Sequence, residues 1–194
     1  MKIILIITVS NLKSPKKVSQ CLIRIYYSEV LNSSRRGFKL TAKIKRSFIN
    51  IGSIVLGFGF MGAMDGVIFH QLLQWHSVVM QADRAGQIVS DGVFHFGVTI
   101  ALIVGGVLLW LGGKPSDLSR GIRLLVGGFL LGSGIFNIVE GLINHHLLQI
   151  HRVKPGDPNA LMYDLAFLAI GILLVVIGLL VKRRGKETDH VVST

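Results

Sequence analysis

Thiol chemistry is all but missing from this chain. Cys21 is the single cysteine, which excludes an internal disulfide and any zinc site built on thiolates. Acids are scarce: 10 Asp and Glu stand against 21 Lys and Arg, a formal charge of +11. Such a surplus can mark a nucleic-acid binder. Here the Lys and Arg flank long apolar runs, as membrane topology requires, so nucleic acid is excluded as the partner. Charge of either sign is thin, at 16% of residues, while 51% are hydrophobic and mean hydropathy is +0.60. That balance excludes an ordinary soluble domain of this size. A Gly-rich phosphate loop, a nucleophile elbow, a Cys-x-x-Cys pair and the His-Glu-x-x-His zinc-protease motif are missing too. Whether the chain is an enzyme stays open on these absences.

What is present is a stretch written twice. Residues 65–76 read DGVIFHQLLQWH, and residues 140–151 read EGLINHHLLQIH, at an offset of 75 without a gap. An acid, a glycine, a histidine, Leu-Leu-Gln and a second histidine recur in register. A polar pattern of this kind does not persist inside apolar sequence by drift, so it implies a duplication. Each copy sits in a longer apolar run. Four spans are predicted, at about Phe48–Leu73, Asp91–Leu111, Leu124–Leu148 and Leu161–Val181. Each is near the ~20 residues a helix needs to cross the hydrocarbon, and in lipid such lengths choose helices over strands. Glycine, 23 of 194 residues, is above its ~7% average. Gly57, Gly59 and Gly62 in the first span, and Gly127, Gly128, Gly132 and Gly134 in the third, suit close helix crossings.

The expected architecture is all-α: a four-span bundle of two tandem, parallel two-helix repeats, about 48–111 and 124–181. Residues 1–46 hold 11 of the basic residues and one acid, Glu29. Met1-Lys2 and the short run Ile3–Val9 resemble the start of a signal peptide, but no small-residue cleavage site follows before Lys13. This segment is read as a basic, poorly ordered cytoplasmic leader, with a weakly patterned interfacial helix at Cys21–Leu31. The membrane domain is 47–182 and a cytoplasmic tail is 183–194. Lys43, Lys45 and Arg46, then Lys114, Arg120 and Arg123, then Lys182, Arg183, Arg184 and Lys186 mark the cytoplasmic side. Both termini then lie in the cytoplasm, and loops 74–90 and 149–160 face outward. Pro155 and Pro158 break the chain before span four. The halves should be related by a pseudo-two-fold along the membrane normal.

That topology gathers the ionisable residues at one depth. Asp65, His70 and His76 end span one, Asp91 and His95 open span two, Glu140, His145, His146 and His151 close span three, and Asp164 opens span four. Asp91-Gly92-Val93-Phe94 and Asp164-Leu165-Ala166-Phe167 match at an offset of 73, with His95 opposite Leu168. Asp65 lies roughly 12 Å inside its helix end, where a lone carboxylate costs several kcal/mol unless paired or metal-bound. Asp91 and His95, at i and i+4, share a helix face. Asp65 and His70, five apart, fall about 140° apart on a regular helix, as do Glu140 and His145. A π-bulge near Gly66 and Gly141 would swing each acid and histidine together.

Imidazole with carboxylate suits a transition metal: zinc, iron, manganese or copper. All ten residues are candidate ligands or their supports, for one shared ion or two. Met64 and Met162 beside the acids keep copper(I) in play. A haem carrier could use His70, His95 and His145, though acids suit it poorly. A proton relay or transport site needs only the coupled acids and histidines. A metal-free network fixing the fold is the plainest alternative, serving a homo-oligomer or a respiratory or transport complex. Gln74 and Gln149 are read as capping helix ends, Trp75 and Tyr163 as interfacial aromatics, Asn137 and Asn144 as interhelical glue.

These motifs (Asp65-Gly66-x-x-Phe69-His70-Gln71-Leu72-Leu73-Gln74-Trp75-His76, Asp91-Gly92-x-Phe94-His95, Glu140-Gly141-x-x-x-His145-His146-x-Leu148-x-x-His151 and Asp164-Leu165-Ala166-Phe167) together resemble a known family. It is the bacterial predicted membrane proteins grouped as domain-of-unknown-function family 2243. The likeness covers about residues 48–182. It implies a small integral protein of the bacterial plasma membrane, in contact with the lipid bilayer, and supplies no activity.

Overall fold

The computed structural model describes residues 15–115 and 117–191. The Ile3–Val9 run and the last residues of the tail lie outside them. Two units divide the chain, Met1–Ile44 and Lys45–Thr194. In the first, the described residues are helical from Pro15, including Cys21–Leu31.

The described residues are all-helical, without strands. Helix α1 spans Pro15–Asp65, α2 Arg84–Gly112, α3 Leu118–Glu140 and α4 Ala160–Val191. Two π-helical segments, π1 at Gly66–Leu72 and π2 at Gly141–Leu147, prolong α1 and α3. Four stretches are long and apolar enough to cross a membrane: Thr41–Leu72, Arg84–Gly112, Leu118–Leu147 and Ala160–Arg183. Spans two and three begin earlier than the apolar pattern suggests, because polar N-caps lie upstream. Asp83 accepts from the Gly86 N–H at 2.8 Å and Asp117 from the Arg120 N–H at 3.1 Å, satisfying first-turn donors. Asp91 is therefore two turns inside α2 rather than at its opening, whereas α4 begins one residue before the expected Leu161, with Asp164 just past its first turn.

Glycine brings α1 and α3 together. A Cβ on Gly57 would fall 2.0 Å from the Phe129 carbonyl oxygen, and one on Gly132 would fall 1.9 Å from that of Ile54. Hydroxyls bond across the same contact: Ser53 Oγ donates to the Leu124 carbonyl at 3.2 Å, and Ser133 Oγ to that of Gly57 at 3.1 Å. In lipid, where burial of apolar surface gives no net drive, close approach and such bonds hold helices together. The flanking helices pack by a matching rule. Gly105 of α2 closes on Leu56, and Gly178 of α4 closes on Leu131. These pairs match at the offset of 75 in the inner helices and 73 in the outer ones. Above the crossing, Phe136, Val153 and Phe167 form a buried apolar layer beneath the polar residues.

Candidate metal centre

The π segments solve the spacing problem. Leu73 N–H bonds the Ile68 carbonyl at 2.8 Å and Leu148 N–H that of Ile143 at 2.7 Å, both five residues back. An i to i+5 turn stacks residues five apart, so Asp65 lies over His70 and Glu140 over His145. Each segment ends on a glutamine in the left-handed region, Gln74 at φ 49° and Gln149 at φ 50°. The N–H after each reaches six residues back, Trp75 to Phe69 at 2.9 Å and Ile150 to Asn144 at 3.0 Å. The glutamines thus end the helices, and they do so through their backbone conformation. The chain then doubles back, and His76 and His151 fold into the bundle, 3% and 4% exposed.

Two triads result. Asp65, His70 and His76 form one, and Glu140, His145 and His151 the other. In each, one donor atom per residue lies within 4.8 Å of the others. The triads adjoin: the His76 and His151 rings stack 4.5 Å apart, and the His70 and His145 rings lie 4.6 Å and 5.0 Å from their own partners.

The surrounding hydrogen bonds fix which ring atoms face inward. His76 Nδ1 lies 2.7 Å from the Val153 carbonyl, and His151 Nδ1 lies 2.9 Å from the Val78 carbonyl. A carbonyl can only accept, so both Nδ1 atoms carry hydrogen and both Nε2 atoms point into the cluster. His70 Nδ1 donates to Asp91 Oδ1 at 3.0 Å, the carboxylate-behind-imidazole arrangement of metal ligands. The Val78 N–H holds the same oxygen at 2.8 Å. In the other half the Val153 N–H donates to Asp164 Oδ1 at 2.9 Å, and His145 Nδ1 stands 3.6 Å from it. Arg152 donates to Asp164 Oδ2 at 3.3 Å. Each valine thus holds its own half's aspartate by N–H and the opposite half's histidine by C=O.

The inward atoms face one another without hydrogen bonds. His70 Nε2 is 3.3 Å from Asp65 Oδ2, and His151 Nε2 is 3.0 Å from Glu140 Oε1, in neither case with hydrogen-bonding geometry. His76 Nε2 has no partner among the described residues. Burial, then the neighbouring His151 and His70, pushes the His76 pKa down to about 3, keeping this ring in the neutral form that ligates metals. Facing lone pairs at such distances call for a cation between them, and a proton or a metal ion is the available kind.

Of the ten candidates, six make the triads, and Asp91 and Asp164 stand directly behind them. His95 and His146 are outside. The His95 ring packs on Gly66, where a Cβ would meet its Cε1 at 2.5 Å, and its buried Nε2 has no partner among the described residues. Met64 and Met162 are exposed while the acids beside or near them are buried. Trp75 and Tyr163 pair at 5.6 Å under the Lys154 ammonium, tying the loops after π1 and π2 to the start of α4. Asn144 donates to Glu140 Oε2 at 2.7 Å within its own segment rather than across helices. The sequence reading missed Val78, Val153 and Arg152. The signal was at hand, since the repeat continues two residues past each second histidine to an identical valine.

Gly66 and Gly141 differ in what surrounds them. A Cβ at Gly141 meets only Leu168 Cδ1 at 3.4 Å and atoms farther off, an ordinary contact. Gly66→Ala should therefore cost about 1–3 kcal/mol through displacement of His95, and Gly141→Ala should be near neutral. Thermal unfolding in detergent checks this, with His95→Ala expected to restore the Gly66→Ala protein. Equal midpoints for the two single variants would contradict it.

The model of one family, described as Predicted membrane protein (DUF2243), matches residues 52–185. The comparison with curated proteins gives no match, and nor does that with solved structures.

Proposed function

We propose that this chain, which belongs to the DUF2243 family of predicted membrane proteins, holds one or two transition-metal ions in its paired triads. One observation carries the reading: two buried sets of two imidazoles and one carboxylate, with three of the four rings, His70, His76 and His151, held by hydrogen bonds at Nδ1 on their far sides. Such supports orient a ligand and raise its basicity. Two imidazoles and a carboxylate suit iron(II), zinc or manganese, and imidazole also suits copper(II); three protein ligands leave coordination positions open for a substrate. Redox, hydrolysis and metal handling all fit an open site. The matched contacts of the two halves support a duplicated hairpin, with the triads related by its pseudo-two-fold. The charge pattern supports both termini being cytoplasmic with the triads near the outer face, and the family resemblance implies a bacterial plasma membrane as the setting.

Elemental analysis of protein purified in detergent should find one or two equivalents of a transition metal per chain, with no Soret band. Protein that stays metal-free after incubation with zinc, iron, manganese and copper ions would sink the reading. A second reading rests on the same facing atoms, because a shared proton also relieves them. In that case function would survive chelation and follow pH instead.

A further inference from the structure

An apolar groove of about 290 Å³ runs between α2 and α3 to one of the triads. Phe58, Phe94 and Phe136 wall it, Gly97 and Val139 stand at its exposed edge, and Glu140 closes its inner end. The lining residues belong to three of the membrane-spanning stretches, so its mouth opens on hydrocarbon. Its lining comes from both halves, Phe58, Phe94, Gly97 and Val98 from the first and Phe136, Val139 and Glu140 from the second, and its open edge is not repeated in sequence. A Cβ on Gly97 would meet nothing within 4 Å, whereas the position 73 residues on carries Ile170.

We propose that this groove is a lateral binding site for a membrane-soluble hydroxyaromatic molecule of the hydroquinone class, whose hydroxyl is donated to Glu140. The proposal rests on the metal reading for its chemistry and on the groove for its ligand. A molecule arriving from hydrocarbon must be apolar over most of its length. Three phenylalanine rings favour an aromatic group over an acyl chain through edge and offset-stacked contacts. The inner end offers an acceptor: Glu140 Oε2 takes one hydrogen bond, from Asn144, and an ionised carboxylate has about four acceptor positions, so a second donor can be held there. An acyl chain would leave that edge unmatched. The volume is at the lower end of the ~300–1,000 Å³ typical of small-molecule sites, enough for a single-ring head.

The test uses the full chain in lipid nanodiscs and an azido-labelled decylhydroquinone as photoprobe. Labelling should map to α2 and α3 around Gly97 and Val139. Unlabelled decylhydroquinone should compete about tenfold better than its dimethyl ether, which cannot donate. Gly97→Leu should lower labelling about tenfold or more, and Gly106→Leu, also in open space, should not. Equal competition by the ether, or labelling indifferent to Gly97→Leu, overturns the proposal. Metal content is measured on the same nanodiscs. Empty protein that still labels as expected overturns the metal reading and leaves the groove standing. Loaded protein without saturable labelling does the reverse.

Discussion

Alanine at both His76 and His151 should abolish metal binding, lowering affinity at each triad by more than about a hundredfold, the upper effect of losing a mere support. Each histidine does two things. Its Nε2 faces its own triad, and its Nδ1 holds the loop that supports the other: His76 grips Val153, whose N–H holds Asp164 behind His145. His151 grips Val78, whose N–H holds Asp91 behind His70. A single substitution should therefore damage both triads unequally. His76→Ala should remove an ion from its own triad and weaken the opposite one about tenfold, as expected for a lost outer support. His146→Ala, outside both triads, should leave both intact. Competitive chelator titrations of the reconstituted variants separate these effects. Two triads that lose ions independently would show that the crossed hydrogen bonds carry no coupling.

Much of this arrangement was legible in the sequence, for physical reasons. Lipid allows few spanning structures, so apolar length alone announced four helices. The in-register acids and histidines named all six triad residues, and a five-residue spacing beside glycine pointed to the π segments that the structure contains. Misplaced details came from local chemistry that hydropathy does not see. Asp83 and Asp117 start their helices earlier than the apolar runs do, which buries Asp91 deeper than expected. His95 shares a helix face with Asp91, yet a side chain one turn farther along packs on Gly66 instead of reaching the triad. The valine bridges escaped notice because they act through backbone atoms, which carry no residue-type signal beyond the repeat itself.

The second large effect should come from far below the triads, with no ligand touched. Gly57→Ala and Gly132→Ala each place a Cβ about 2 Å from a backbone carbonyl oxygen of the opposing helix. No side chain can rotate away to make room, so α1 and α3 must separate by more than an ångström at the crossing. Overpacking against movable side chains typically costs about 1–3 kcal/mol, and a clash with backbone should reach or exceed the top of that range. Separation would also loosen the Ser133 bond to the Gly57 carbonyl. These helices carry π1 and π2 at their ends, so spreading them spreads the two triads as well. Both variants should lower the unfolding midpoint and lose metal together, whereas Gly106→Ala, in open space, should change neither. If Gly132→Ala kept its midpoint and its metal, the α1–α3 crossing would not be what holds the two halves of the cluster in register.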